Sequence, residues 1–267
     1  MIVDAHQHLG TTNMGTKEAE GGTGSTRDRS LSEIHRASLA ELGIASCLVS
    51  PGFTFNAFQG ESAIQGLNDD LAAYTRENDF VLGAFGVVEP LSMKEPELEA
   101  VRVIDELGMV GIVWHNRFQR IWINDDAVKR VIAACPPSTK MIAVHLVAES
   151  HMEAVWRLEE VLEEFPDRTF IALSAFTSHS QCGEVIRLAA RYPNLYSDIG
   201  GMLPLGMWIE QYVDQVGADR LVYGTDHYPA SPIFRYNYAK ALVDHARISE
   251  EDRELIFSGN ILRLLAS

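Results

Sequence analysis

Ile2-Val3-Asp4-Ala5-His6-Gln7-His8, close to the start of the chain, decides both the fold and the chemistry. The run is short, apolar and β-rich, so it is expected to be a strand. Side chains at i and i+2 of a strand project to the same face. Asp4, His6 and His8 should therefore face one way, with His8 nearest the carboxyl end. Two imidazoles converging there make half of a zinc-type site, with Asp4 a layer deeper as a hydrogen-bond acceptor. A pair of hydrogen-bonded core histidines fits the same spacing, so the motif alone leaves two readings open.

Outward from this strand, similar runs recur at intervals with helical patterns between them. They span 45–50, 81–88, 110–114, 141–147, 169–173, 195–199 and 221–224. Helices are expected over 32–42, from Asn68 as a cap to 78, over 96–107, 151–165, 183–192 and 232–245, and after a capping box at Ser249. Strands that are apolar throughout and alternate with helices imply a parallel sheet covered on both faces. Eight such units in 267 residues favour a closed α/β barrel, a (β/α)8 TIM barrel with some distortion and an extra C-terminal helix. A doubly wound open sheet is the alternative, but no Gly-x-Gly-x-x-Gly or phosphate-binding loop follows the first strand. No linker or repeat divides the chain, so residues 1–267 are expected to form one domain.

Composition narrows the function. The net charge of -15, from 37 acidic and 22 basic residues, repels nucleic-acid phosphate and anionic membrane surfaces. No apolar run reaches a membrane span and no secretory leader is visible, which points to the cytoplasm. Cys47, Cys135 and Cys182 are widely spaced and read as free thiols, with Cys182, after a polar turn, the one of interest. The segment 10–30 is long, Gly/Ser/Thr-rich and placed after the first strand, on the active-site face of such barrels, so it reads as a lid or binding loop.

Two further residues belong with His6 and His8. His145 ends the fifth strand among aliphatic residues, and Asp226 follows the eighth in Val222-Tyr223-Gly224-Thr225-Asp226. Burying such groups is costly unless they are paired or bind metal. All these strand ends reach the same mouth. Three histidines and a carboxylate suit one divalent ion, zinc by ligand type, with manganese or another transition metal as the alternative.

The combination resembles the amidohydrolase superfamily, in particular the amidohydrolase-related branch of metal-dependent hydrolases, sugar lactonases and nonoxidative decarboxylases. Asp4-x-His6-x-His8, His145, Gly224-Thr225-Asp226, the 193–198 stretch Pro-Asn-Leu-Tyr-Ser-Asp and the closing Ser258-Gly259-Asn260-Ile261-Leu262-Arg263-Leu264-Leu265 carry the resemblance. It implies that His6, His8, His145 and Asp226 are metal ligands and that Asp226 also accepts a proton from the attacking water. One position departs from the pattern: Ser174 stands where the family has a histidine ending strand six. His179, five residues on, is the candidate replacement. Val113 occupies the place of a bridging lysine, which favours one metal over two.

Other mouth residues complete the expectations. His115 is a candidate proton shuttle and Arg117 a clamp for a substrate carboxylate. Trp114, Ser174 and Phe53, the last with Phe55 and Phe58, are candidates for the pocket wall. Glu89 and Asp198 are candidate supporting acids. His227 should point away from the interior, and His35, His151 and His245 read as surface or capping residues. The leading function is hydrolysis of a lactone, amide or ester of a small organic acid by metal-activated water. The alternatives are nonoxidative decarboxylation of an aromatic or unsaturated acid, and a non-catalytic barrel. The expected partner is a small-molecule substrate. A homo-oligomer is left open, with Trp208 and Tyr212 either at an interface or in the core.

Overall fold

In the computed structural model, which describes residues 1–10, 29–52, 60–201, 205–229 and 237–267, the opening strand runs Val3–Leu9 (β1). It pairs in parallel with Ser46–Pro51 (β2). Val81–Gly86 (β3), Gly111–Trp114 (β4), Met141–His145 (β5), Phe170–Leu173 (β6), Leu195–Asp198 (β7) and Leu221–Val222 (β8) follow in chain order, each parallel to the last. Backbone bonds from Ala5 N to Tyr223 O (2.9 Å), Asp226 N to His6 O (2.9 Å) and His8 N to His227 O (2.8 Å) join the last strand to the first. The sheet thus closes into the (β/α)8 TIM barrel that the alternation predicts, and the open-sheet alternative is set aside.

The barrel is filled as the sequence demands. Ile142, Ala143, Val144, Ile171, Ala172 and Leu173 are all buried, because strands of a covered parallel sheet have no wet face. The C-terminal helices Glu250–Glu254 and Asn260–Ala266 frame a π-turn at Leu255–Gly259 that packs against β8 and β1. Asn260 fastens this end to the barrel, its Nδ2 donating to Ala218 O (2.7 Å) and Leu221 O (2.8 Å). The capping box at Ser249 is present, with Asp252 as its partner.

Some local expectations need correction. Asn68 is not a cap: the helix starts earlier, at Glu61–Glu77, and Asn68 lies buried within it. Its amide pairs with both backbone groups of Val87 at 2.9 Å, tying the helix to the end of β3. A helix at Asp126–Ala134, capped by Asp125, has no counterpart in the sequence-based expectations; it buries Val128, Val131 and Ile132. His35 is a core residue rather than a surface one, held by Tyr74 Oη (2.9 Å) and Gln7 Oε1 (2.7 Å). Tyr212 is in the core and Trp208 packs against it. All three thiols are buried, including Cys182. Among the described residues no helix is long and apolar enough to cross a membrane. The 10–30 segment, apart from its ends, and Phe53, Phe55 and Phe58 lie outside the described residues.

Candidate metal centre

His6, His8 and His145 meet at the carboxyl ends of β1 and β5, with one ligand atom from each within 4.8 Å of the others. The convergence follows from strand geometry, since alternate residues of β1 share a face and β5 ends at the same mouth. His6 Nε2 and His8 Nε2 are 3.0 Å apart. Asp226 Oδ1 lies 3.1 Å from His8 Nε2 and 3.5 Å from His6 Nε2.

The ring partners show why these nitrogens can converge. His8 Nδ1 faces Pro51 O at 2.7 Å, and His145 Nδ1 faces Trp114 O at 2.9 Å. A carbonyl only accepts, so both rings must carry their proton on Nδ1. Each Nε2 is left with a lone pair. His6 Nδ1 faces the buried carboxylate Asp198 Oδ2 at 2.5 Å, which places its proton on Nδ1 as well. His145 Nε2 is buried and accepts or donates no hydrogen bond. The orphaned His145 nitrogen lies within 4.8 Å of the other two imidazoles, and Asp226 lies against His6 and His8; these are donors that suit a divalent ion, and the residues fit one.

Electrostatics reinforce the arrangement. Burial alone would push His6 down, but Asp198, then Asp226 and Asp4, hold it up to about 9, so near neutral pH its Nε2 carries a proton that an incoming cation must displace. His145 is driven well below the usual range by burial and by His115, His6 and His8, so it stays neutral. Asp226 is held low: burial opposes ionisation, and His6 and His8 outweigh it. Asp226 and Ser174 both adopt the left-handed backbone region (φ 59° and 53°), a conformation costly for non-glycine residues and concentrated at functional sites.

Glycines make room for the His6–Asp198 contact. A Cβ on Gly224 would lie 2.5 Å from Asp198 Oδ2 and 2.9 Å from His6 Cβ; one on Gly200 would lie 2.6 Å from His6 Nδ1. Asp198 also accepts from Ser174 N at 2.8 Å, so the acid noted as a supporting candidate anchors β1, β6 and β7 together. Glu89 does not share that role: its carboxylate is buried, and burial pushes it up to about 8. Asp4 turns away from the ligand rings. The register of β1 shifts between Asp4 and Gln7, and Asp4 binds Gln7 Nε2 (2.7 Å), Thr225 Oγ1 (2.5 Å) and two backbone N–H groups.

The remaining mouth candidates divide. His115 stacks on His145 with ring centroids 4.0 Å apart and 4° between planes. Arg117 is near enough to hold Asp226 down electrostatically. Ser174 is buried close to Asp226; a Cβ on Gly201 would sit 3.5 Å from Ser174 Oγ and 3.6 Å from Asp226 Oδ2. Trp114 serves through its backbone carbonyl; its ring is buried in the core, on the opposite face of β4 from His115. His179 does not fill the strand-six gap. It opens the helix His179–Arg191, is exposed, and sets its ring edge on Trp208. His227 points outward, as expected, to Ser38 Oγ at 2.6 Å. Two residues escape sequence reasoning. Tyr228 stacks on His8 with centroids 4.7 Å apart, and Glu153 holds His115 Nδ1 at 2.6 Å. Alternation beyond Asp226 could have suggested Tyr228; no local signal marks Glu153.

A family model described as Amidohydrolase matches residues 3–266. No curated protein matches the chain. Among solved structures, 5-carboxyvanillate decarboxylase from Novosphingobium aromaticivorans, complexed with manganese and 4-hydroxy-3-methoxy-5-nitrobenzoic acid, superposes with a TM-score of 0.76 at 13% identity, covering 100% of this chain and 96% of the other. The 2,6-dihydroxybenzoate decarboxylase from Rhizobium gives a TM-score of 0.70 at 15% identity over 99% and 98% of the two chains. A TIM-barrel protein from Bordetella bronchiseptica gives 0.68 at 20% identity over 99% and 98%.

Proposed function

The chain belongs to the amidohydrolase family, and on that footing we propose that this metal-dependent enzyme is a nonoxidative decarboxylase of an aromatic acid. The observation that carries the reading is the convergence of three imidazoles at the barrel mouth with the Asp226 carboxylate against two of them, and His115 and Arg117 close by. The choice of decarboxylation draws support from the whole-length likeness to barrels that act on 5-carboxyvanillate and 2,6-dihydroxybenzoate. It revises the sequence-based preference for hydrolysis.

His6, His8, His145 and Asp226 would hold the ion, zinc by donor type or manganese as in the 5-carboxyvanillate decarboxylase. When bound it supplies Lewis acidity and a positive anchor for substrate oxygens. Arg117 offers a forked donor to a carboxylate or phenolate. His115 flanks the substrate, and Ser174 lines the floor beside Asp226. Asp226 keeps 19% side-chain exposure against 0% for Asp198, so it is the carboxylate open to the mouth; held ionised, it would first take up a proton from the substrate's phenol or from water and then relay it to the ring carbon. In the net reaction one proton is added at the ring carbon bearing the carboxylate. The carbon–carbon bond breaks, its electron pair stays with the ring, and carbon dioxide leaves without consuming water.

Hydrolysis is the second reading, favoured by Ser174 in place of the strand-six histidine. Asp226 would then accept the proton of an attacking water. Protein loaded with manganese or zinc should release carbon dioxide from 2,6-dihydroxybenzoate, 5-carboxyvanillate or a related hydroxybenzoate, and lose that activity on chelation. Turnover of lactones, esters or amides with no carbon dioxide from any aromatic acid would replace this reading with hydrolysis.

A further inference from the structure

We infer that Glu153 is a positioning residue of the mouth, setting the tautomer of His115 and the place of Arg117 through one buried carboxylate. The inference rests on the proposed use of His115 and Arg117 toward substrate. Glu153 ends a short 3-10 turn, His151–Glu153, beyond β5. The turn is pinned toward the β4 side by Ile123 N, which donates to Met152 O at 3.2 Å. Glu153 is fully buried. A buried carboxylate is costly unless its oxygens are used.

Glu153 Oε1 takes two donors, His115 Nδ1 at 2.6 Å and the backbone nitrogen of Arg117 at 3.0 Å. Oε2 accepts no hydrogen bond and faces Arg117 Nε at 3.8 Å, an attraction of charge. The Arg117 N–H donates to Oε1 and the Arg117 guanidinium faces Oε2, and both favour the ionised carboxylate. Ionised Oε1 can in turn only accept, which places the His115 proton on Nδ1 and leaves Nε2 as a lone-pair acceptor. The ring so oriented lies flat on His145. One carboxylate therefore fixes the ring's rotation, its tautomer and the backbone that carries Arg117. A glutamine there keeps the shape but loses the charge opposite Arg117, and its amide can turn a donor toward His115.

The test reads the tautomer directly. Imidazole nitrogen resonances of protein labelled with 15N-histidine are recorded without added metal at about pH 8, above the value of about 7 to which burial pushes Glu153. The His115 signal is identified by its loss in His115→Asn. The wild type should show His115 with its proton on Nδ1, and Glu153→Gln should shift it toward Nε2 while the thermal midpoint stays close. Protonation on Nε2 in the wild type overturns the inference, and so does a Glu153→Gln spectrum identical to it. The wild-type spectrum decides even if the variant fails to fold. Separately, zinc-loaded wild type is titrated with 2-nitroresorcinol, and Glu153→Gln should bind it about tenfold more weakly at equal metal content. Failure of the wild type to bind this probe counts against the decarboxylase reading and leaves the tautomer measurement to decide the role of Glu153.

Discussion

Asp198 Oδ2 lies 2.5 Å from His6 Nδ1, and both side chains are wholly buried. The contact holds the His6 ring with Nδ1 on Asp198 and Nε2 toward His8. Outer partners of this kind typically contribute about 10–100-fold in metal affinity. Asp198→Asn keeps the volume but can present an amide donor to Nδ1, pushing the proton onto the ligand nitrogen. We expect zinc affinity, measured by competition with a fluorescent chelator, to fall by about tenfold or more. Unchanged affinity would show that His6 needs no such support.

Gly224 is the geometric counterpart of that pair. An alanine methyl there would meet Asp198 Oδ2 at 2.5 Å and the Cβ of His6 at 2.9 Å, and neither atom can yield without moving the centre. Gly224→Ala should reduce metal content and lower stability by roughly 1–3 kcal/mol, the usual cost of overpacking. Elemental analysis and thermal melting together check this. A variant with full metal occupancy and an unchanged melting temperature would sink it.

Asn68 sits far from any ligand in sequence and links helix to strand. Replacing it with alanine leaves Val87 N and Val87 O without a hydrogen-bond partner, while Glu99 Oε1 keeps Arg102 Nη2 at 2.8 Å. Each such orphan costs roughly 1–3 kcal/mol. Asn68→Ala should therefore destabilise by about 3 kcal/mol in urea unfolding while leaving zinc affinity unaltered, since no metal-ligand side chain touches it. A fall in zinc affinity without a fall in stability would contradict this placement.

How much of this was legible follows from the range of each signal. The eight strands were readable because a covered parallel strand must be apolar along its whole length, as Met141–His145 and Phe170–Leu173 are. His6 and His8 were readable through local spacing, and His145 and Asp226 through polar groups placed at apolar strand ends that reach the same mouth, a set to which the family resemblance then gave its ligand role. Asp198 could be named but not given its partner, since it lies 192 residues from His6 and only barrel closure joins them. Glu153 was invisible because its value comes from His115, 38 residues earlier, across a turn with no periodic pattern. His35 was misread because helical spacing shows that a helix has faces, while packing against Gln7 and Tyr74 decides which one is buried. Strict alternation failed at Asp4, where the strand slips register against β2.

Glu89 offers a test of burial by pH. Its carboxylate is inaccessible to solvent, and burial pushes it from 4.5 up to about 8 against a lowering by the neighbouring Gln119 amide. A raised acid binds its proton more tightly in the folded chain than in the unfolded one. Between about 4.5 and 8 the folded state therefore holds more protons, and stability falls as the pH rises through that window. At neutral pH the penalty is on the order of 3 kcal/mol. Glu89→Gln removes the ionisation and keeps the shape. Urea midpoints should be nearly equal for the two proteins at about pH 5, with the variant gaining as the pH approaches 8. A difference that does not change across that range would mean that Glu89 is already ionised in the fold, satisfied by partners that burial alone does not disclose.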